Sequence, residues 1–357
     1  MAGGQYRERR VCIQLLTIDF RLVSVGMQLM LFLNRREVES LLDLDRLIEA
    51  LGPAMAELSA GRLSMPARIM ALVRDRGGLL AAMPVYLNST STLSTKLVSV
   101  FPGNEAHGVP SHQAVILVFD AETGSPRALM DGTFITAART AAGSALSARL
   151  LARQDAHVLL IVGTGVQARA HASAVPRVRP IREIRVVGRD PQKAARLAAE
   201  ITVTQGVKAF ACEAVEQTFA DAHIICAATH AAEPVVKGAW LRPGTHVTSV
   251  GLNADAREVD AEAVMKALVV VETREAALAP GPGGSNDLKW PIRDGLMGED
   301  HIHAEVGELI SGAKPGRTSA DQITLYKSVG VAVQDAVAAR LVLEAAEKQG
   351  VGRGFEI

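Results

Sequence analysis

The feature that most constrains the fold is a glycine loop between a fully apolar run and a helix-forming stretch. Residues 157–162 read HVLLIV and lead directly into Gly163-Thr164-Gly165-Val166-Gln167-Ala168. In such a G-x-G-x-x-A loop, the first glycine permits a tight turn and the second lets the backbone approach a pyrophosphate. The small third residue lets the next helix pack closely, with its N-terminus directed at the anion. Gly163 and Gly165 are therefore predicted to bind a dinucleotide.

Short apolar runs alternate with helical stretches through the rest of this region. The runs occupy residues 157–162, 183–188, 207–212, 223–228, 246–251 and 267–272. Most are separated by helical stretches such as 191–203 and 257–267. This alternation is typical of βαβ units, which build a parallel sheet covered by helices on both faces. The fold class is therefore α/β, with a Rossmann domain.

The first third of the chain has a different pattern. Two helical pieces lie within residues 33–61, and a hairpin connection at Glu122–Gly124 leads to a short strand. Other β-rich segments, bounded by turn-forming residues, are 79–87, 93–101 and 113–120. Residues 31–135 are thus predicted to form an α+β domain with an antiparallel sheet.

Two long helices are also predicted. Residues 136–153 are rich in small side chains that allow close packing, and Thr136 is a candidate N-cap. Residues 322–349 form the second helix, which closes the chain.

Charge and cysteine content exclude several classes of protein. The chain has 38 basic and 38 acidic residues, which argues against a nucleic-acid partner. The apolar stretch 11–33 contains Asp19 and Arg21, so a membrane span is not expected. The cysteines Cys12, Cys212 and Cys226 form no CxxC pair, which indicates reduced thiols and a cytoplasmic location. Residues 1–29 are interpreted as an N-terminal extension of unknown role.

The tip of the second apolar run bears on the choice of cofactor. It reads Gly188-Arg189-Asp190, with no acidic residue at the tip itself to bind the ribose 2′-hydroxyl of NAD. A guanidinium beside a small residue suits a 2′-phosphate, so NADP(H) is favoured and NAD(H) remains an alternative. Asp190 either caps the helix that starts at Pro191 or reaches the ribose.

Several linked motifs resemble the ornithine cyclodeaminase/mu-crystallin family over residues 31–345. They are MP at 83–84, KLVSVFPGN at 96–104, MDGTFITAARTAAGSA at 130–145, GTGVQA at 163–168, SVG at 249–251, REVD at 257–260 and YKSVGVAVQD at 326–335. The resemblance implies a homodimer whose Rossmann domain, residues 136–319, is inserted into a discontinuous substrate-binding and dimerisation domain, residues 30–135 plus 320–350. Family members include cyclodeaminases, amino-acid dehydrogenases, imine reductases and a hormone-binding crystallin.

The resemblance also assigns site residues. Arg68, Lys96 and Arg139 match the cationic substrate positions, and arginine binds a carboxylate bidentately. Because a buried ammonium is costly unless paired, Lys96 is expected to face a substrate atom. Lys96, Arg139 and Asn253 are the catalytic candidates, and Val329 joins the substrate site. The implied cofactor residues are Ser111, Arg139, Val166, Gln167, Arg189, Thr229, Val250 to Asn253, and Ser328.

Two departures from the family pattern bear on the reaction. Cyclodeaminases place an aspartate where this chain has Asn253, and Asp255 could replace it only through a rearranged loop. Their acidic residue before the MP motif is also missing, because Ala81 and Ala82 precede Met83. An amide cannot take a proton, so these changes point away from ornithine cyclodeamination.

The predicted function is therefore an NAD(P)H-dependent reductase of a small-molecule substrate, either a cyclic imino acid such as pyrroline-2-carboxylate or piperideine-2-carboxylate, or a linear ketimine. The alternatives are an alanine-type dehydrogenase, an ornithine cyclodeaminase with bound NAD, and a non-catalytic NADP-binding protein like mu-crystallin. No metal site is expected, since His301 and His303 lack zinc-ligand spacing. His107, His112 and His230 are interpreted as structural or solvent-facing.

Overall fold

The computed structural model describes residues 29–357, so the predicted N-terminal extension lies outside the described residues except for Leu29, which begins a strand. The strands are β1 (Leu29–Leu33), β2 (Ile69–Val73), β3 (Gly78–Leu87), β4 (Thr92–Val100), β5 (His112–Phe119), β6 (Pro126–Asp131), β7 (Val158–Val162), β8 (Glu183–Val187), β9 (Lys208–Ala211), β10 (Ile224–Ala227), β11 (His246–Ser249), β12 (Leu268–Val271), β13 (Ile302–Glu305), β14 (Thr324–Lys327) and β15 (Arg353–Glu356).

Helices cover these strands. They are α1 (Arg35–Leu41), α2 (Leu44–Ser59), α3 (Gly132–Leu151), α4 (Val166–Ala174), α5 (Pro191–Gln205), α6 (Glu216–Ala220), α7 (Ala261–Lys266), α8 (Arg274–Leu278), α9 (Asn286–Arg293), α10 (Val306–Ile310) and α11 (Ala332–Gln349). None of the helices described between residues 29 and 357 is long and apolar enough to cross a membrane.

The first sheet has the order β15-β1-β6-β5-β4-β3-β2 and is mixed rather than purely antiparallel. Neighbouring strands from β2 to β6 are antiparallel, as predicted. β1, however, pairs parallel to β6, because α1 and α2 carry the chain away before it enters the other strands. β15 returns from the far end of the chain and pairs antiparallel with β1.

The second sheet confirms the predicted parallel α/β arrangement. Its order is β13-β12-β14-β11-β10-β7-β8-β9, and all its pairings are parallel. The five residues of β7 are all buried, as expected for a strand covered by helices on both faces.

β14 corrects the prediction of a single helix over residues 322–349. Thr324 to Lys327 are fully buried and pair with β11 and β12 in the middle of the second sheet. A buried strand has no polar face, so its periodicity did not distinguish it from a buried helix. The second sheet thus extends beyond the predicted domain boundary at residue 320, and the return to the first sheet begins after Lys327.

Helix α3 joins the two halves of the molecule. It contacts β5 of the first sheet, β11 and β14 of the second, and the neighbouring helices α2, α4 and α11. It begins at Gly132 rather than at Thr136, because the carboxylate of Asp131 accepts the backbone N–H of Phe134 and is the true N-cap. Nearly all its small residues are buried, which lets both sheets approach it.

The C-terminal end of α3 is closed by the guanidinium of Arg179. Arg179 donates to the carbonyls of Arg149, Ala152, Arg153 and Val178 at 2.7–2.9 Å. Replacing it with methionine leaves these carbonyls without their donor, so we expect the free energy of unfolding to fall by about 3 kcal/mol.

Chemical denaturation of Arg179→Met measures this loss. The exposed Arg182, which takes part in no side-chain hydrogen bond among the described residues, is the matched control as Arg182→Met. An equal, small effect from both variants would show that the cap is not a source of stability.

Candidate active site

The carboxyl ends of the parallel strands form one edge of the second sheet. Val162 is in register with Val187 on one side and with Ala227 on the other, and Ala227 is in register with Ser249. Ser249 is in turn opposite Lys327. The loops that follow these strands therefore lie side by side. The direction of chain progression reverses between β7 and β10, which is where open α/β sheets form a ligand crevice.

The glycine loop has the shape that a dinucleotide requires. Gly163 has φ +127°, and a Cβ there would lie 2.4 Å from the carbonyl oxygen of Ala228. A Cβ on Gly165 would meet only open space, so a ligand can approach the backbone there. Gly165 is the N-cap of α4 and provides no side-chain cap, which leaves the helix N-terminus for an anion. The buried Oε1 of Gln167 has no hydrogen-bond partner among the described residues. These features fit a dinucleotide pyrophosphate.

The structure shows that Asp190, at the C-terminal end of β8, is a helix cap rather than a group that reaches toward the ribose. Its carboxylate accepts the backbone N–H groups of Gln192 and Lys193 and caps α5, and these hydrogen bonds lower its pKa. A side chain at Gly188 would collide with Thr164, because its Cβ would lie 2.6 Å from Thr164 Cγ2. Arg189 is exposed beside them.

A buried charged network that the sequence did not predict holds the loops that follow β10 and β11. Glu258 accepts the N–H and hydroxyl of Thr229 at 2.6 and 2.8 Å, and also the N–H of Gly251 at 2.8 Å. Lys327 lies 2.7 Å from Asp287 and donates to the Gly251 carbonyl. Thr229 and the turn that starts at Val250, both predicted at the cofactor site, are thereby fixed at the sheet edge. The REVD motif contains Glu258 and was the one sequence feature that could have indicated this network.

Lys96 and Arg139 meet at a carboxylate that was also missed. Lys96 Nζ lies 2.7 Å from Asp335 Oδ2, and Arg139 Nε donates to Asp335 Oδ1 at 3.0 Å. Arg139 also donates to Gln334. Lys96 extends from β4, Arg139 from α3 and Asp335 from the first turn of α11. Asp335, which the sequence did not indicate, thus supplies an anion for the buried ammonium of Lys96.

Arg68 joins this cluster at the turn that precedes α11. Its Nη2 donates to the carbonyls of Val329 and Gly330 at 3.3 and 2.7 Å. Val329 is buried, so it contacts Arg68 through its carbonyl. Asp335 pairs with Lys96 and Arg139, and the charges of Asp335 and of Glu272 both act on Arg68. Three cations thus face two carboxylates, so positive charge is in excess there. Such a site suits an anionic ligand.

The electrostatics of the cluster shift several pKa values. Burial lowers the pKa of Lys96 to about 8, although Asp335 opposes the shift. Burial disfavours ionisation of Asp335, but Arg139 and Lys96 outweigh this effect and hold its pKa below the usual value. Burial and the charges of Lys96 and Arg139 lower the pKa of His112 to about 4. His112 is thus a neutral, partly buried group near the cations, so of its two predicted interpretations the structural one applies rather than the solvent-facing one.

The remaining candidates occupy separate places. Asn253 lies in the loop after β11, where its Nδ2 donates to the Ala231 carbonyl and its Oδ1 faces His230 Nδ1 at 3.2 Å. Asp255 is exposed. Ser111 is exposed at the start of β5, and Ser328 is buried after β14. No cluster of three or more candidate metal ligands occurs within the described part of the chain.

A glycine loop at the switch point of a parallel sheet defines a dinucleotide-binding protein of the Rossmann class. The buried cationic cluster lies at the turn that follows β14, on the carboxyl edge of the same sheet. Within that class, the chain belongs to the ornithine cyclodeaminase/mu-crystallin family, whose model matches residues 28–350.

Three relatives illustrate the similarity. The chain is 39% identical over 318 residues to the ketimine reductase mu-crystallin of Mus musculus, covering 88% of this chain and 96% of the relative. The structure of Thermococcus litoralis Δ1-pyrroline-2-carboxylate reductase in complex with NADH and L-proline has a TM-score of 0.87 and 41% identity, covering 91% of this chain and 99% of that one. An archaeal alanine dehydrogenase dimer with bound NAD has a TM-score of 0.85 and 31% identity, covering 92% and 99%.

Proposed function

We propose that this protein is an NAD(P)H-dependent reductase of cyclic imino acids or ketimines. The observation that carries the proposal is the cluster of Arg68, Lys96 and Arg139 around Asp335, beside the carboxyl edge of a dinucleotide-binding sheet. Relatives named as a ketimine reductase and a pyrroline-2-carboxylate reductase support it. The departures at Asn253 and Ala82 remove acids that cyclodeamination would use.

The chain's own residues divide the work of such a reaction. Arg68 and Arg139 bind the substrate carboxylate, since each guanidinium retains donors that no described residue occupies. Lys96 gives a proton to the imine nitrogen, and Asp335 holds the ammonium in place. A bound reduced nicotinamide would supply the hydride for the imine carbon. With the proton from Lys96, that hydride would convert the C=N bond to an amine.

The direct test measures oxidation of NADPH and NADH by the purified protein. Pyrroline-2-carboxylate, piperideine-2-carboxylate and mixtures of an amine with an oxoacid are the substrates. We expect turnover with at least one preformed imine, at a kcat/KM well above that for pyruvate with ammonia. If neither NADPH nor NADH is oxidised with any of these substrates, the proposal is rejected. A higher kcat/KM for pyruvate with ammonia would favour the dehydrogenase alternative.

NADP(H) is the proposed preferred cofactor. Asp190 is engaged as a helix cap, and Arg189 makes no ion pair within residues 29–357, which leaves its guanidinium for a 2′-phosphate. Arg189→Ala should therefore weaken NADPH binding by about 1.5–3 kcal/mol and leave NADH binding nearly unchanged.

Fluorescence titration of both cofactors measures this difference. Arg182→Ala, at the opposite end of β8, is the matched control. Equal losses for NADPH and NADH in Arg189→Ala would contradict contact with the 2′-phosphate.

A homodimer through the outer face of the first sheet is also proposed. Helices α3 and α11 pack on its inner face, whereas Ile69, Leu80 and Val115 point outward and are 70%, 49% and 41% exposed. An apolar sheet face of this kind is typical of a protein interface. We expect light scattering to give twice the chain mass and Val115→Arg to give monomers, whereas a monomeric wild type would overturn the assignment.

A further inference from the structure

Glu272 is a fully buried carboxylate that the proposed reaction does not use. It follows β12 directly, has no exposed surface, and lies within ion-pair distance of no cation in the described structure. A buried charge is costly unless its oxygens are satisfied. Its hydrogen bonds therefore indicate what this group does for the fold.

All three hydrogen bonds of Glu272 come from one turn. Ser328 Oγ donates to Oε1 at 2.6 Å, the Val329 N–H donates to Oε2 at 2.8 Å, and the Gly330 N–H donates to Oε1 at 3.1 Å. This turn connects β14 of the dinucleotide-binding sheet to α11, which carries Asp335. Glu272 therefore fixes the point where the two halves of the site join.

The same turn accepts Arg68 on its opposite side. In the peptide between Val329 and Gly330, the N–H donates to Glu272 and the carbonyl accepts Arg68 Nη2. Hydrogen bonds at both ends of one peptide unit polarise each other and strengthen. Gly330 has φ +76°, and a Cβ there would lie 2.7 Å from Arg139 Nη1, so the second arginine also rests on this turn.

We propose that Glu272 is a positioning residue that holds the Ser328–Gly330 turn so that the Val329 and Gly330 carbonyls set the guanidinium of Arg68 for a substrate carboxylate. The inference rests on the proposed function, which assigns the carboxylate to Arg68. Glu272 itself touches neither ligand. Its effect reaches the substrate through the peptide group and Arg68.

Glu272→Gln preserves the side-chain volume but replaces one acceptor oxygen with an NH2 group, which then faces a backbone donor. We expect the Kd of an unreactive planar carboxylate, pyrrole-2-carboxylate, to rise about tenfold in the presence of dinucleotide. The dinucleotide Kd should rise by much less than the carboxylate Kd, because Ser328 is the one predicted cofactor residue that Glu272 contacts. The contrasting variant is Glu258→Gln, which faces the Thr229 and Gly251 loops and should affect mainly dinucleotide binding.

A double-mutant cycle with Arg68→Met separates positioning from general destabilisation. If Glu272 acts through Arg68, Glu272→Gln adds almost nothing in the Arg68→Met background. Additive losses, or equal weakening of carboxylate and dinucleotide, would overturn the inference. Should Glu272→Gln fail to fold, Glu272→Asp keeps the charge but shortens its reach, and the same cycle applies.

Failure of the proposed function can be distinguished from failure of the positioning role of Glu272. If the wild-type protein binds no carboxylate, the role of Arg68 in substrate binding is rejected. A crystal structure of Glu272→Gln then still tests the positioning claim, because a displaced Arg68 guanidinium supports it and an unchanged one overturns it.

Discussion

Replacement of Lys96 with methionine is expected to lower kcat/KM for an imine by about 100-fold or more, the scale of a lost acid–base group. Methionine has a similar length but has no proton to give and no charge to place beside the imine nitrogen. The variant should still fold, because Asp335 keeps its hydrogen bond from Arg139. Steady-state kinetics at saturating NADPH measures the loss.

The same residue predicts a pH dependence. Because the Lys96 pKa is lowered to about 8, its ammonium is present below that pH and deprotonates above it. Reduction requires the protonated form, so kcat/KM should fall as pH rises through about 8, toward tenfold per pH unit. Lys96→Met should lack this alkaline limb, which distinguishes titration of Lys96 from titration of the substrate.

The controls for Lys96→Met are dinucleotide binding and the chain mass in solution. Both should match the wild type, since Lys96 lies on β4 of the first sheet and Arg139 keeps its hydrogen bond to Asp335. If the variant retains near-normal turnover and the same pH profile, Lys96 is only a structural cation. The proton would then come from water or from an already protonated iminium.

The parts of the site that the sequence predicted are local in the chain. Gly163 and Gly165 act through backbone conformation and close approach, which a six-residue motif specifies by itself. Asp190 was recognised as a possible cap because its partners, the N–H groups of Gln192 and Lys193, are two and three residues away. Turn conformations and helix caps depend on residues that are neighbours in the chain, so a single sequence can predict them.

The parts that the sequence did not predict depend on distant pairing. Lys96 and Asp335 are far apart in the sequence, and no residue near Lys96 indicates which carboxylate will pair with it. β14 was read as a helix because a strand buried on both faces has no alternating pattern. Glu258 and Glu272 were missed because their partners are backbone N–H groups and hydroxyls of loops whose arrangement exists only in the folded sheet.

Replacement of Asp335 with asparagine should have the largest combined effect on stability and activity. It leaves two buried cations, Lys96 and Arg139, without their shared anion. Breaking a buried pair from one side typically costs about 3–5 kcal/mol of unfolding free energy. Asp335 also raises the pKa of Lys96, so its loss should lower that pKa further below about 8. The amine would then lose its proton nearer neutral pH, and the alkaline limb of kcat/KM should move to lower pH.

Chemical denaturation and the pH profile together test this prediction, and the double variant Lys96→Met with Asp335→Asn supplies the control. Removing both charges relieves the uncompensated ammonium, so the double variant should be more stable than Asp335→Asn alone while remaining inactive. If the double variant regains unfolding free energy but not turnover, removing the pair costs less stability than removing Asp335 alone. The Lys96–Asp335 pair would then be required for catalysis rather than for the fold. If the two losses of stability instead add, the cation and the carboxylate are not coupled. Asp335 would then not oppose the lowering of the Lys96 pKa by burial and by the charges of Arg139 and Arg68.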